Sequence, residues 1–115
     1  FSTSLLSKWV REKNVLSLEQ AVNLLSARTA DVMGLTDRGR LQEGLKADVV
    51  VFDADTVNCT PLERVSDQPA GQTRLISKEI GIDAVLVNGT IIRRNGQDML
   101  ADNDPMPGQL LRSGQ

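Results

Sequence analysis

The sequence predicts an α+β fold with its helices first and its strands after, and three observations carry that prediction. Apolar residues recur at helical spacing up to Met33 and lose that period beyond Gly34. Ala47 to Asp53 (ADVVVFD) then reads as a strand entered from the glycine turn at Gly44. Asn88-Gly89 sits between two β-prone runs, where a two-residue hairpin requires positive φ at both positions.

Each element follows from local chemistry. Leu5, Leu6, Trp9 and Val10 share one face of a first helix whose other face carries Ser7, Lys8, Arg11 and Glu12, with Ser2, Thr3 or Ser4 available as its cap. The second helix is marked by Ser17 as N-cap and Gln20 as its capping-box partner. Leu16 is placed to staple onto Ala21, and Leu18, Ala21, Val22 and Leu25 form the apolar stripe. A short third helical turn from Ala30 to Met33 stops at Gly34, which can take the left-handed conformation. Thr36-Asp37-Arg38-Gly39 is turn chemistry, and Arg40 and Leu41 are expected to make a brief strand. Four large apolar residues in a row, Val49 to Phe52, predict a strand covered on both faces. Thr56 to Ser77 shows no period and is broken by Pro61, Pro69 and Gly71, so a long surface excursion is expected there, of the kind that leans on something else. Ala84 to Val87 and Thr90 to Arg93 form the hairpin around Asn88-Gly89. Asn95-Gly96 makes a further turn, and Pro105, Pro107 and Gly108 predict an extended tail.

Composition narrows function. The 115 residues are 40% hydrophobic and 24% charged, ordinary for one globular unit, but Phe1, Trp9 and Phe52 are the only aromatics, so aliphatic packing must form the core. A formal charge of -2 without any basic patch argues against nucleic acid or an anionic membrane as partner. No apolar run reaches the roughly 20 residues of a membrane span and no secretory leader opens the chain, so a cytoplasmic protein is expected. The opening residue, Phe1, is not an initiator methionine and stands at a helix entrance, so the chain is read as a fragment.

Histidine is absent altogether, which removes most metal sites and most nucleophile-base pairs. The remaining candidates have plainer readings. Asp53 and Asp55 would share one side of a strand as paired acids do, yet no further ligand joins them. Asp102-Asn103-Asp104 opens like a calcium loop but runs into Pro105 and lacks the closing glutamate. Asp48 is placed to accept hydrogen bonds from the preceding turn, and Lys46 reads as a solvated lysine. Cys59 is alone and has no activating base. Asn58-Cys59-Thr60 and Asn88-Gly89-Thr90 match the glycosylation triplet by chance. No residue is therefore assigned a catalytic, cofactor-binding or metal-binding role.

Leu16 to Ala30, Gly34 to Asp53, Gln68-Pro69-Ala70-Gly71, Ile82 to Gly96 and Met106-Pro107-Gly108-Gln109-Leu110-Leu111-Arg112 together resemble the C-terminal end of an amidohydrolase-superfamily enzyme. The N-acyl-D-amino-acid deacylase (D-aminoacylase) group is the most similar. Hydantoinases, dihydroorotases and deaminases share the glycine-turn-strand segment, and the tail pattern favours the deacylases. The resemblance implies a parent enzyme with one or two metals, usually zinc, at the mouth of a (β/α)8 barrel, held by histidines and an aspartate that all precede Phe1. It implies that residues 1–35 are the last helices of that barrel and that 36–115 are the C-terminal part of a small β-sandwich, a composite domain. The expected partners are the missing barrel and N-terminal sandwich strands, or, without them, a second copy of the chain. The implied function is a non-catalytic part of an enzyme that hydrolyses an amide C–N bond. The alternatives are a β-rich interaction module that stands alone, or part of a hydantoinase- or dihydroorotase-like cyclic amidase.

Overall fold

In the computed structural model, which describes residues 1–112, α1 (Ser2–Ser4) runs directly into a π-helical segment (Leu5–Glu12), followed by α2 (Leu18–Leu25) and α3 (Ala27–Met33). Eight strands follow: β1 (Val49–Phe52), β2 (Asn58–Cys59), β3 (Glu63–Val65), β4 (Arg74–Ile76), β5 (Glu79–Ile80), β6 (Ile82–Val87), β7 (Thr90–Arg94) and β8 (Gln97–Asp98). The α+β class and its helix-then-strand order are as the sequence predicts. No helix among the described residues is long and apolar enough to cross a membrane.

The first helix departs from expectation in its cap and its winding. Ser2, Thr3 and Ser4 lie inside the helix and Phe1 holds the N-cap position, so no hydroxyl caps it. The Lys13 N–H donates to the Lys8 carbonyl at 2.8 Å, five residues back, and Asn14, with φ of 51°, ends the segment. The second helix begins as the sequence specifies. The Gln20 N–H donates to Ser17 Oγ at 3.1 Å and the Ser17 N–H donates to Gln20 Oε1 at 2.9 Å, a complete capping box. The third helix starts three residues earlier than predicted, at Ala27, and stops at Gly34 in the left-handed conformation.

All strand pairs are antiparallel. One sheet has the order β1-β6-β7-β8, with Val87 opposite Thr90 across the predicted Asn88-Gly89 turn and a second tight turn at Asn95-Gly96. Three expectations are corrected. Arg40 and Leu41 form no strand, because that backbone finds no partner strand and Arg40 turns back to Asp31. The strand at Val49–Phe52 is not covered on both faces within this chain: β1 is a sheet edge, and Val50 and Val51 remain 53% and 46% exposed. The excursion from Thr56 to Ser77 is not irregular. It forms most of one antiparallel ribbon, with Asn58 opposite Ile80 at its root and Val65 opposite Arg74 near its tip. Cross-strand pairing hid from the period test because Thr60-Pro61-Leu62 interrupts the alternation.

The core is small and joins the two halves. Leu6, Ala21 and Val57 are buried together, with Leu5, Leu16, Leu18, Leu25, Phe52 and Ile82 packed around them. Gly81 makes this possible, because at φ of 76° a Cβ there would stand 2.7 Å from the Val57 nitrogen. The exposed surface of 8587 Å² exceeds the about 6,200 Å² expected of a compact monomer of this mass. The radius of gyration, 16.1 Å, likewise exceeds the roughly 13 Å of a compact domain. Much apolar surface in this chain has no cover of its own.

Gly81→Ala should therefore destabilise the fold by roughly 2–4 kcal/mol, through positive φ and backbone overlap together. Gly96→Ala, equally left-handed but with no atom near a new Cβ, should lose only about 1 kcal/mol. Urea unfolding midpoints of the two variants test the difference, and equal losses would contradict the packing at Val57.

Candidate functional site

The densest polar arrangement lies where three separate sequence motifs meet. Arg38, in the turn after α3, donates through Nη1 to Asp48 Oδ2 at 2.7 Å and through Nε to Asp37 Oδ1 at 3.0 Å. The other Asp48 oxygen accepts the Asn88 N–H at 2.8 Å, and the Gly89 N–H donates to the Ala47 carbonyl at 2.9 Å. Asp48 thus bonds the preceding turn, as predicted, and also the hairpin 40 residues away. Pro107, Gly108 and Gln109 of the tail close over Arg38, Asp48 and Asn88, leaving a crevice of only ≈ 10 Å³. The glycine turn, the Asn-Gly hairpin and the Pro-Gly tail are one junction in space.

This junction's hydrogen bonds tie turn, hairpin and strand together. The hydrogen bonds from Arg38 hold the Asp37 carboxyl below the usual carboxylate range and raise the guanidinium of Arg38 in return. The same holds for Asp31 beside Arg40 and for Asp67 beside Arg74. Glu79 is lowered first by its own backbone N–H and then by Arg93, whose Nε donates to it at 2.6 Å. A general acid or base needs a value moved toward neutrality, and all these carboxyls move the other way.

The other candidates are dispersed. Asp53 and Asp55 do not face one side as strand neighbours: β1 ends at Phe52, and Asp53 Oδ1 accepts the Asp55 N–H at 2.8 Å in a local turn. Asp104 spends its carboxylate on the Ala101 N–H at 2.8 Å, closing its own loop. Lys46 donates its backbone N–H to the Asp37 carbonyl at 2.8 Å. Asn88 occupies the hairpin turn and Asn58 caps the Cys59 N–H. Half-buried Cys59 borders an open depression of ≈ 470 Å³ together with Phe1, Thr3, Leu62, Lys78 and Glu79, and the Glu79 carboxylate is already paired with Arg93.

Among the described residues no three His, Cys, Asp or Glu side chains gather as metal ligands. The donor set does not fit a zinc centre, since imidazole is lacking and several carboxylates are committed to arginine.

Sequence reasoning missed the arginines. Arg11 donates through Nη1 to the carbonyls of Val57 at 2.9 Å and Ala54 at 3.2 Å, and Arg93 bridges Glu79 and Asp98 at 2.6 Å each. With partners up to 46 residues distant, no local pattern marks them.

A family model described as "Amidohydrolase family" matches residues 2–93. The chain is 41% identical over 110 residues to an N-acyl-D-glutamate deacylase of Alcaligenes xylosoxydans xylosoxydans, covering 96% of this chain and 20% of that protein. It superposes with a TM-score of 0.68 and 37% identity on the crystal structure of N-acyl-D-glutamate deacylase from Bordetella bronchiseptica, a complex with zinc and a phosphonate inhibitor that mimics the tetrahedral intermediate; 96% of this chain and 20% of that one are covered. On the crystal structure of a D-aminoacylase the TM-score is 0.65 at 29% identity, covering 85% of this chain and 19% of the other. The chain spans about a fifth of the length of the relatives it matches.

Asp48→Ala should destabilise the chain by about 1–2 kcal/mol, because the Asn88 N–H loses its acceptor. Asp48→Asn, which keeps an oxygen for that N–H, should lose less, and its effect should shrink in an Arg38→Gln background. Thermal melts of the four variants test this, and additive losses would mean the ion pair is idle. Because the Asp37 carboxyl is lowered in the fold, its contribution is present above the ordinary carboxylate range and lost as pH falls through the lowered value. Arg38→Gln should accordingly move acid unfolding, followed by circular dichroism, to higher pH.

Proposed function

Because the chain belongs to the amidohydrolase family, we propose that it is the non-catalytic C-terminal part of a metal-dependent hydrolase that releases the acyl group from N-acyl-D-amino acids by cleaving the amide C–N bond. The observation that carries this reading is the match in both sequence and fold along 96% of the chain to deacylases of N-acyl-D-glutamate. A likeness confined to the glycine-turn-strand segment would fit a cyclic amidase equally well. Dihydroorotases align along 84% of the chain at 32–35% identity, and the 41% identity along 96% of it favours the deacylases.

The division of labour follows from the donor chemistry above. Zinc is present in the solved relative, and here the chain's own donors do not suit it, so the metal and the substrate groups belong to the rest of the polypeptide. On this reading residues 1–35 supply the last helices of the barrel, and 36–115 supply the C-terminal strands of a sandwich completed by other strands of the parent. The surplus exposed surface and the uncovered edge at β1 support a chain made to be buried against such partners. Released from them, it is expected to self-associate. A single cysteine with no partner for a disulfide suits a cytoplasmic protein.

The complete polypeptide, expressed and purified, should contain zinc and hydrolyse N-acetyl-D-amino acids at least roughly a hundredfold better than their L isomers. Chelation should abolish that activity. The 115-residue chain alone should retain no stoichiometric metal and no activity. Ring opening of dihydroorotate or a hydantoin in preference to deacylation would overturn the substrate assignment, and a gene that encodes this chain without a barrel would leave only an interaction module.

A further inference from the structure

The ribbon has more reach than anything in this chain supports. Its root is fixed in the core by Val57, and Thr60 continues the ladder by donating its N–H to the Lys78 carbonyl at 2.8 Å. Beyond that point β3 and β4 pack chiefly on each other, and an isolated two-stranded ribbon is marginal in water. Its tip is also strained: Ala70, without glycine's freedom, holds φ of 59° beside Gly71 at 68°, with hydrogen bonds of only 3.4 Å across the loop. Opposite residues of an antiparallel pair share a face, which places Arg64 and Leu75 together. Leu75 is 56% and the neighbouring Leu62 70% exposed, and no carboxylate lies within ion-pair distance of Arg64 among the described residues. Apolar residues around an arginine are the composition of a buried interface centre, unlike that of a solvated face.

The geometry points to a docking arm: the Leu62, Arg64 and Leu75 face seats on the remainder of the same polypeptide, on an apolar surface that presents a carboxylate to Arg64. The occupant follows from extent, since matched relatives are about five times as long as this chain, and from charge, since Arg64 donates only to the Thr73 hydroxyl at 3.2 Å and lacks the acidic partner that Arg74 has in Asp67. The inference rests on the family reading above, and it adds an interface made by the ribbon rather than by the sheet edge.

The test uses the complete polypeptide with a photoreactive benzoylphenylalanine at position 75, and a control at Glu63, which pairs with Ile76 on the opposite face. The probe at 75 should form an intramolecular cross-link to sequence preceding Phe1, several-fold more than the control. Arg64→Glu should make the 66–73 loop about tenfold more susceptible to a non-specific protease. Cross-links between two copies, equal yields from both positions, or unchanged proteolysis would each overturn the inference. Activity is read separately: a protein that cross-links as expected but deacylates nothing keeps the arm and loses the function reading, and an active D-specific deacylase without the cross-link does the reverse.

Discussion

The approach of Gly81 to Val57 is the contact on which the rest of this structure depends. Among the described residues Val57 is the one large side chain fully shut away from solvent, and its neighbours come from both halves of the fold: Leu6 and Ala21 from the helices, Phe52 and Ile82 from the sheet. Its backbone is committed as well. The Val57 N–H donates to the Asp53 carbonyl at 2.8 Å, and its own carbonyl accepts Arg11 at 2.9 Å. Any side chain at 81 would push this knot apart, separating the helical segment from the strands and the ribbon from its root.

So little aliphatic burial is a weak foundation, since a buried valine or leucine contributes only about 1.5–3 kcal/mol. The chain compensates with arginine. Arg11 fastens the π-helical segment to the loop after β1, Arg38 fastens the glycine turn to the hairpin, and Arg93 fastens β5 to β8. These bonds are directional and set geometry well, but most are half exposed and weakened by salt. An architecture held this way, with apolar residues along β1 and the ribbon left in water, is suited to being one layer of a larger body.

The acidic groups are committed in the same way. Asp31, Asp37, Asp67 and Glu79 are each paired with arginine and held ionised well into acid. Carboxylates so committed are poor proton carriers and poor metal ligands, and without imidazole nothing replaces them. The junction of turn, hairpin and tail ties three distant segments of the chain together.

Local rules were enough to read Ser17 with Gln20, the stop at Gly34, the two Asn-Gly turns and the α+β order, because each depends on residues within four positions of one another. Pairing across long separations was not legible. The ribbon shows no period in sequence, the apolar run Val49–Phe52 does not reveal that this chain covers it on neither side fully, and Arg11, Arg38 and Arg93 carry no local mark of their partners. Sequence alone therefore determined which segments are helix, turn and hairpin, since short-range sterics and capping bonds decide those. Only the tertiary structure decided which apolar surfaces stay exposed and which charges meet, because both depend on residues far apart in the chain, as Leu6 is from Ile82 and Arg11 from Val57.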